Sequence, residues 1–296
     1  MISFAVFLFG LAAGSFLNAF IYRLEVQQKL RLLPRDREKA SVTWMHGRSF
    51  CPSCSHTLAW YDLIPLVSFA LLRGKCRYCA KPISAQYPLV EFATGVLFVF
   101  VLLKLHLVIP TPSGLKTLQG LNDLVSLSFP QILELFYLWA IVSFLVVIFV
   151  YDLKHFIIPD KVLYPALGLV VLWRLLLHFQ IAENVISLGF LQAGLAGFGA
   201  AGFFLAIYLL SKGRAMGFGD VKLALFMGLF LSWPNILVAM SLAFGAGAIV
   251  GLVLIFLKRK TMRSEVPFGP FLIAGTFAAL FWGEPLVDWY LSSMGV

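Results

Sequence analysis

The chain has 296 residues, 60% hydrophobic and only 12% charged, with a mean hydropathy of +0.91. Soluble domains carry about a quarter charged residues, so this balance excludes an ordinary soluble protein and leaves an all-α polytopic membrane protein. The formal net charge of +9 then reflects topology rather than nucleic-acid binding, because Lys and Arg of membrane proteins gather on cytoplasmic loops.

An apolar run over residues 2–22 predicts the first span. It has no basic residue before Arg23 and continues into motif-like sequence, which argues against a cleaved signal peptide. Gly14 and Ser15 mark a close-packing face. Asn18 is polar within the span, and an interhelical hydrogen bond is its expected role.

Residues 23–86 change character. They hold 11 of the 23 Lys and Arg residues against four acids, which places the segment in the cytoplasm. All four cysteines lie here, as Cys51-Pro52-Ser53-Cys54 and Cys76-Arg77-Tyr78-Cys79, with 21 residues between the pairs. Two C-x2-C knuckles at this separation suit a tetrahedral zinc site in which four thiolates saturate the metal, a structural rather than catalytic arrangement.

A second span is expected over 87–108, with Glu91 near its start, where the helix dipole favours an acid and where it could face the cytosolic segment. Residues 109–130, with Pro110, Pro112 and Pro130, are expected as an external loop poor in positive charge. Further spans are expected at about 131–151, 159–179, 185–211, 219–231 and 235–257. An eighth follows Pro267-Phe268-Gly269-Pro270 and runs to about Trp282. Small residues such as Gly194, Gly197 and Gly199 equip the fifth for close helix approach. With eight spans and both termini outside, only Lys104, Lys116 and Arg174 of the basic residues fall toward the outer face.

Two carboxylates stand out against this background. An acid at membrane depth costs roughly 2.5–3.5 kcal/mol on translocon scales, so it is a functional candidate by default. Asp220 lies in Met216-Gly217-Phe218-Gly219-Asp220-Val221-Lys222, at the start of the sixth span. Asp152 ends the third, where an anion opposes the helix dipole, whereas Asp160 has an ordinary place at a helix start. Both sites fall on the cytoplasmic face by the same charge count. If the two meet, they can hold one proton between them: one activates water while the other donates to a carbonyl, without a metal. Gly217 and Gly219 are expected to supply unusual backbone angles and room for an extended substrate. The competing class is a proton-coupled transporter. It is disfavoured because the carboxylates lie near one face rather than at the midplane, and because no internal repeat is evident.

The ordered set of motifs resembles the type IV prepilin leader peptidases that also N-methylate their products, a family of GxGD-type aspartic peptidases. The resemblance rests on Gly14-Ser15-Phe16-Leu17-Asn18, the cysteine pairs with Ile64-Pro65-Leu66 and Arg73-Gly74-Lys75-Cys76, Tyr87-Pro88-Leu89-Val90-Glu91, Asp152 to Asp160, Gly217 to Asp220 and Pro267 to Pro270. It implies that Asp152 and Asp220 are catalytic. It also implies that the leader of a type IV prepilin or pseudopilin is removed after a glycine, and that the new N-terminus is methylated from S-adenosylmethionine. The implied organisation is a first transmembrane helix (1–22), a cytosolic segment associated with methyl transfer (23–86) with Cys51, Cys54, Cys76 and Cys79 on structural zinc, and a transmembrane peptidase core (87–296). Gly74 matches a family glycine linked to methylation. No Rossmann-type glycine loop marks the cofactor site. The implied setting is the bacterial inner membrane, with the active site near the cytoplasmic face. One departure is Lys154-His155, where relatives often carry an acid. A peptidase lacking the methyltransferase step is the alternative within the same class.

Overall fold

A computed structural model describes residues 2–31, 49–107, 129–181, 188–258 and 266–294. Among them there is no strand. The elements are α1 (Ile2–Arg31), a short 3-10 turn (Trp60–Leu63), α2 (Val67–Leu71), α3 (Gln86–Leu107), α4 (Phe129–His155), α5 (Asp160–Ile181), α6 (Leu188–Leu210), α7 (Phe218–Leu231), α8 (Asn235–Phe256) and α9 (Gly269–Ser293). Among the described residues, eight helices of 14 residues or more lie where eight spans are expected. Six of them, α1, α3, α4, α6, α8 and α9, are long and apolar enough to cross a membrane. The other two are α5, which carries Asp160, Lys161 and Arg174, and α7, which has 14 residues, about 21 Å at 1.5 Å per residue.

Some helix ends differ from expectation. Helix α1 continues past residue 22 to Arg31, because Leu24, Glu25, Gln27 and Gln28 are good helix formers with nothing to break them. Helix α9 runs past Trp282 to Ser293 with Pro285 inside it. The expected external loop 109–130 lies outside the described residues except for Phe129 and Pro130, which begin α4 instead; Glu183, Arg259, Lys260 and the basic stretch 32–48 also lie outside them.

The chain divides within α4 into two compact units, residues 1–147 and 148–296. In the first, α1 packs on α3 through small residues: a Cβ added at Gly10 would lie 2.7 Å from Gly95 Cα, and one at Gly14 2.7 Å from Glu91 Cα. Asn18 is buried and does what its position predicts, donating from Nδ2 to the Tyr87 carbonyl at 3.0 Å. The start of α4 joins this unit by stacking Trp139 on Phe98 at 5.0 Å, with the indole N–H donating to the Phe98 carbonyl at 3.1 Å.

In the second unit the short α7 is central, packed against α5, α6, α8 and α9. Its crossing with α6 brings backbones together, since a Cβ at Gly228 would be 2.5 Å from Gly197 Cα. Gly275 plays the same part between α9 and α8, where a Cβ would meet the Ala239 carbonyl oxygen at 2.3 Å. Such small-residue contacts replace the hydrophobic effect as the source of helix association in lipid. The C-terminal end of α7 is closed by Arg174 of α5. Its Nε donates to the Leu229 carbonyl at 3.0 Å, and its Nη2 to the Phe230 carbonyl at 2.7 Å and Ser232 Oγ at 2.6 Å. A guanidinium thus meets carbonyls that a helix end leaves without partners.

Candidate active site

Asp220 sits at the third position of α7 and is 8% exposed. Its carboxylate reaches back to accept the Gly217 N–H at 3.2 Å, which ties it to the free amide groups of the helix start. Asp152 is 4% exposed, near the C-terminal end of α4. Its own helix offers it no favourable dipole. Another helix supplies the partner: the Gly269 N–H, at the start of α9, donates to the Asp152 carboxylate. A Cβ at residue 269 would lie 2.5 Å from Asp152 Oδ2, so only glycine admits the approach.

Ile158, in the connection after α4, is a neighbour common to both helix starts. A Cβ at Gly219 would lie 3.2 Å from Ile158 Cβ, and one at Gly269 3.5 Å from its Cδ1. The two carboxyl groups are close enough for the charge on Asp152 to act on Asp220. The structure therefore brings together the two aspartates that charge counting pairs, and adds Gly269 and Ile158. The glycines of α7 act differently from expectation. Gly217 has φ −79°, open to any residue, and Gly219 is helical. Gly219 permits close approach to Ile158 rather than unusual angles, and Gly217 leaves exposed space beside Asp220. On the rim, Lys222 Nζ pairs with Asp160 Oδ1 at 2.7 Å, linking the starts of α7 and α5.

The four cysteines form a second centre. Their Sγ atoms all lie within 4.8 Å of one another, with Cys51 and Cys79 at 3.9 Å. Four thiolates at 2.3 Å from a tetrahedral zinc stand about 3.8 Å apart, so the set fits that ion. The two knuckles are copies of one turn. Cys51 N–H donates to the His56 carbonyl at 2.9 Å and Ser55 N–H to the Cys51 carbonyl at 2.8 Å; Cys76 with Lys81, and Ala80 with Cys76, repeat both bonds at 2.9 Å. Ser55 and Ala80 both take left-handed φ, +58° and +54°. The Cys51 thiol is lowered to about 7: burial opposes this, but the Ser53 and Cys54 N–H groups and the neighbouring thiols outweigh it. The Cys79 thiol is pushed up to about 11, where the Lys81 backbone bond favours the thiolate but burial and the other three thiols oppose it. A bound dication would remove that mutual opposition.

Asp62 ties the second knuckle to the 3-10 turn. It accepts Arg77 Nε at 2.7 Å, the Tyr78 hydroxyl at 2.9 Å and the Ala59 N–H at 3.2 Å. Burial opposes its ionisation, yet these bonds hold its carboxyl below the usual range. Gly74 has φ +69°, and a Cβ there would meet the Phe69 ring at 3.1 Å. Its N–H donates to the Phe69 carbonyl at 2.9 Å and its carbonyl accepts Ile83 N–H at 2.7 Å, so it shapes the turn before Cys76.

Residues 8–105 match the bacterial peptidase A24 N-terminal domain, and residues 139–252 match the type IV leader peptidase family. A prepilin leader peptidase/N-methyltransferase of Aeromonas hydrophila is 33% identical over 300 residues, covering 97% of this chain and 93% of that protein. The chain belongs to the prepilin leader peptidase/N-methyltransferase family. A counterpart from Aeromonas salmonicida is 34% identical, covering 98% of this chain and 94% of its own. One from Legionella pneumophila is 31% identical, covering 96% and 92%. No solved structure matches. The first matched domain contains the cysteines, Gly74 and Glu91, and the second contains Asp152 and Asp220. Gly269 lies beyond the second match, although its N–H is a direct partner of Asp152.

Proposed function

We propose that this family member cleaves the leader peptide from type IV prepilins or pseudopilins with Asp152 and Asp220, and then methylates the new N-terminus. The observation that carries the reading is two buried carboxylates brought together at the starts of α7 and α9, each accepting a glycine N–H. One carboxylate takes a proton from water, whose oxygen attacks the scissile carbonyl carbon, while the protonated partner donates to the carbonyl oxygen. Collapse of the tetrahedral species breaks the C–N bond, and the leaving amine takes up the proton. The open surface at Gly217 suits an extended strand passing Asp220.

The nitrogen of the freed α-amine then takes the methyl group of S-adenosylmethionine as its C–S bond breaks, S-adenosylhomocysteine leaves, and the nitrogen loses a proton. Cys51, Cys54, Cys76 and Cys79 would hold zinc as a closed four-thiolate site, which shapes the module without entering either reaction. The bacterial inner membrane, with both reactions near the cytoplasmic face, is the setting consistent with the basic segment 23–86.

The test is to incubate the purified full-length protein with prepilins and follow leader removal by mass. Uncut substrate throughout sinks the peptidase reading. Methylation appears as a one-methyl gain that requires S-adenosylmethionine; cut but unmethylated product leaves the peptidase alone.

A further inference from the structure

The segment between the cysteine knuckles carries an exposed apolar face. Trp60 is 77% exposed and Leu71 76%, and Leu63, Ile64 and Val67 are exposed with them. Five large apolar side chains open within twelve residues are not a surface that water tolerates well. The segment's attachment says what covers it. Leu66 N–H donates to Glu91 Oε2 at 2.9 Å. Glu91 is itself 7% exposed. The candidate span of α3 begins at Gln86, which puts Glu91 about 7.5 Å along the helix at 1.5 Å per residue.

The attachment is specific, because Leu66 is held in a strained turn. Its φ and ψ are 60° and −45°, and Val67 N–H donates across it to the Pro65 carbonyl at 2.6 Å. This is the uncommon γ-turn geometry, fastened by the Glu91 carboxylate. Leu66 is therefore fastened beside the second turn of a helix long and apolar enough to cross a membrane. Amphipathic elements of interfacial proteins lie roughly 5–10 Å into the headgroup and acyl boundary, within reach of such a turn. Beside it stand the exposed cations Arg73, Lys75, Arg77 and Lys81, against the single acid Asp62.

We propose that residues 60–71 form an interfacial element that lies in the leaflet where α3 enters, with Val67 and Leu71 among the acyl chains, Trp60 at the headgroup boundary, and Arg73 and Lys75 at anionic headgroups. The inference rests on the membrane fold and not on the assignment of either reaction. Tryptophan belongs at the headgroup level, and clustered basic residues are drawn to anionic lipid.

The test uses the full-length protein labelled with fluorotryptophan, in nanodiscs of phosphatidylcholine with phosphatidylglycerol. Trp60→Phe assigns the Trp60 fluorine resonance. A lipid carrying a spin label near its headgroup is expected to broaden that resonance several-fold more than a soluble gadolinium chelate does. Equal or greater broadening by the chelate places Trp60 in water and overturns the proposal. Insensitivity to both places it under protein, whether another part of this chain or a second copy, and overturns it equally. In the doubly substituted Arg73→Gln, Lys75→Gln protein the effect of phosphatidylglycerol over phosphatidylcholine alone should disappear; its persistence removes the anionic headgroups from the account.

Discussion

The cysteine centre and the aspartate centre are built on opposite plans. Each cysteine knuckle is a local turn whose two thiols are three residues apart, and two copies of the same turn face each other with thiols within 4.8 Å. The aspartate centre has no local unit. It draws Asp152 from the end of α4, Asp220 from the start of α7 and the Gly269 N–H from the start of α9. A local centre depends on its ligands and on the metal they would share. A dispersed centre depends on helix packing, so residues that touch neither substrate nor carboxylate proton can still govern it.

The largest effect should come from the aspartates. Asp152→Asn or Asp220→Asn should lower cleavage to below about 10⁻⁴ of the wild-type rate, the scale on which members of a catalytic unit fail. The variant should still enter the membrane, and retained turnover in either removes that residue from the dyad. Next is Cys51→Ser. Structural zinc contributes on the order of 10 kcal/mol to folding small sites, so bound zinc and methylation should both be lost while leader removal continues. Unchanged metal content by atomic absorption would exclude Cys51 as a ligand.

Gly269→Ala comes third, and it separates a packed dyad from two merely adjacent acids. The added methyl collides with Asp152 and displaces it, and a shift of about 1 Å can cost about 10²-fold in rate. The loss should appear in kcat with KM little changed. Glu91→Ala addresses the other centre. It leaves the Leu66 N–H without its acceptor at a cost of roughly 1–3 kcal/mol, so limited proteolysis should cut the 60–71 segment faster and methylation should fall before cleavage does. The smallest effect is Lys222→Gln. Its pair with Asp160 is half open to solvent, and such pairs contribute about 0–1 kcal/mol, so cleavage should change by less than about five-fold.

The difference between the centres also explains what the sequence makes legible. The cysteine ligands can be read from spacing because the C-x2-C turn is local, although left-handed φ at Ser55 and Ala80 cannot, since neither is glycine. Asp152 and Asp220 can be paired because the cost of charge in a membrane and the count of loop cations put both on one face. Gly269 is another matter. Pro267 to Pro270 is visible as a motif, yet nothing local says that a backbone N–H there serves a carboxylate more than a hundred positions earlier. The same holds for Ile158, whose contact with Gly219 reassigns that glycine from backbone freedom to close packing. Helix ends were least legible where no breaker stands, as in α1 beyond residue 22.

If two buried aspartates cut the leader while a separate cysteine module serves methylation, the two reactions can be parted in one protein. The decisive experiment gives the Asp220→Asn protein both an intact prepilin and a precut pilin with S-adenosylmethionine, and reads all products by mass in one reaction. The expected result is an uncut prepilin beside a precut pilin that gains one methyl group. A cleaved prepilin would rule out the dyad.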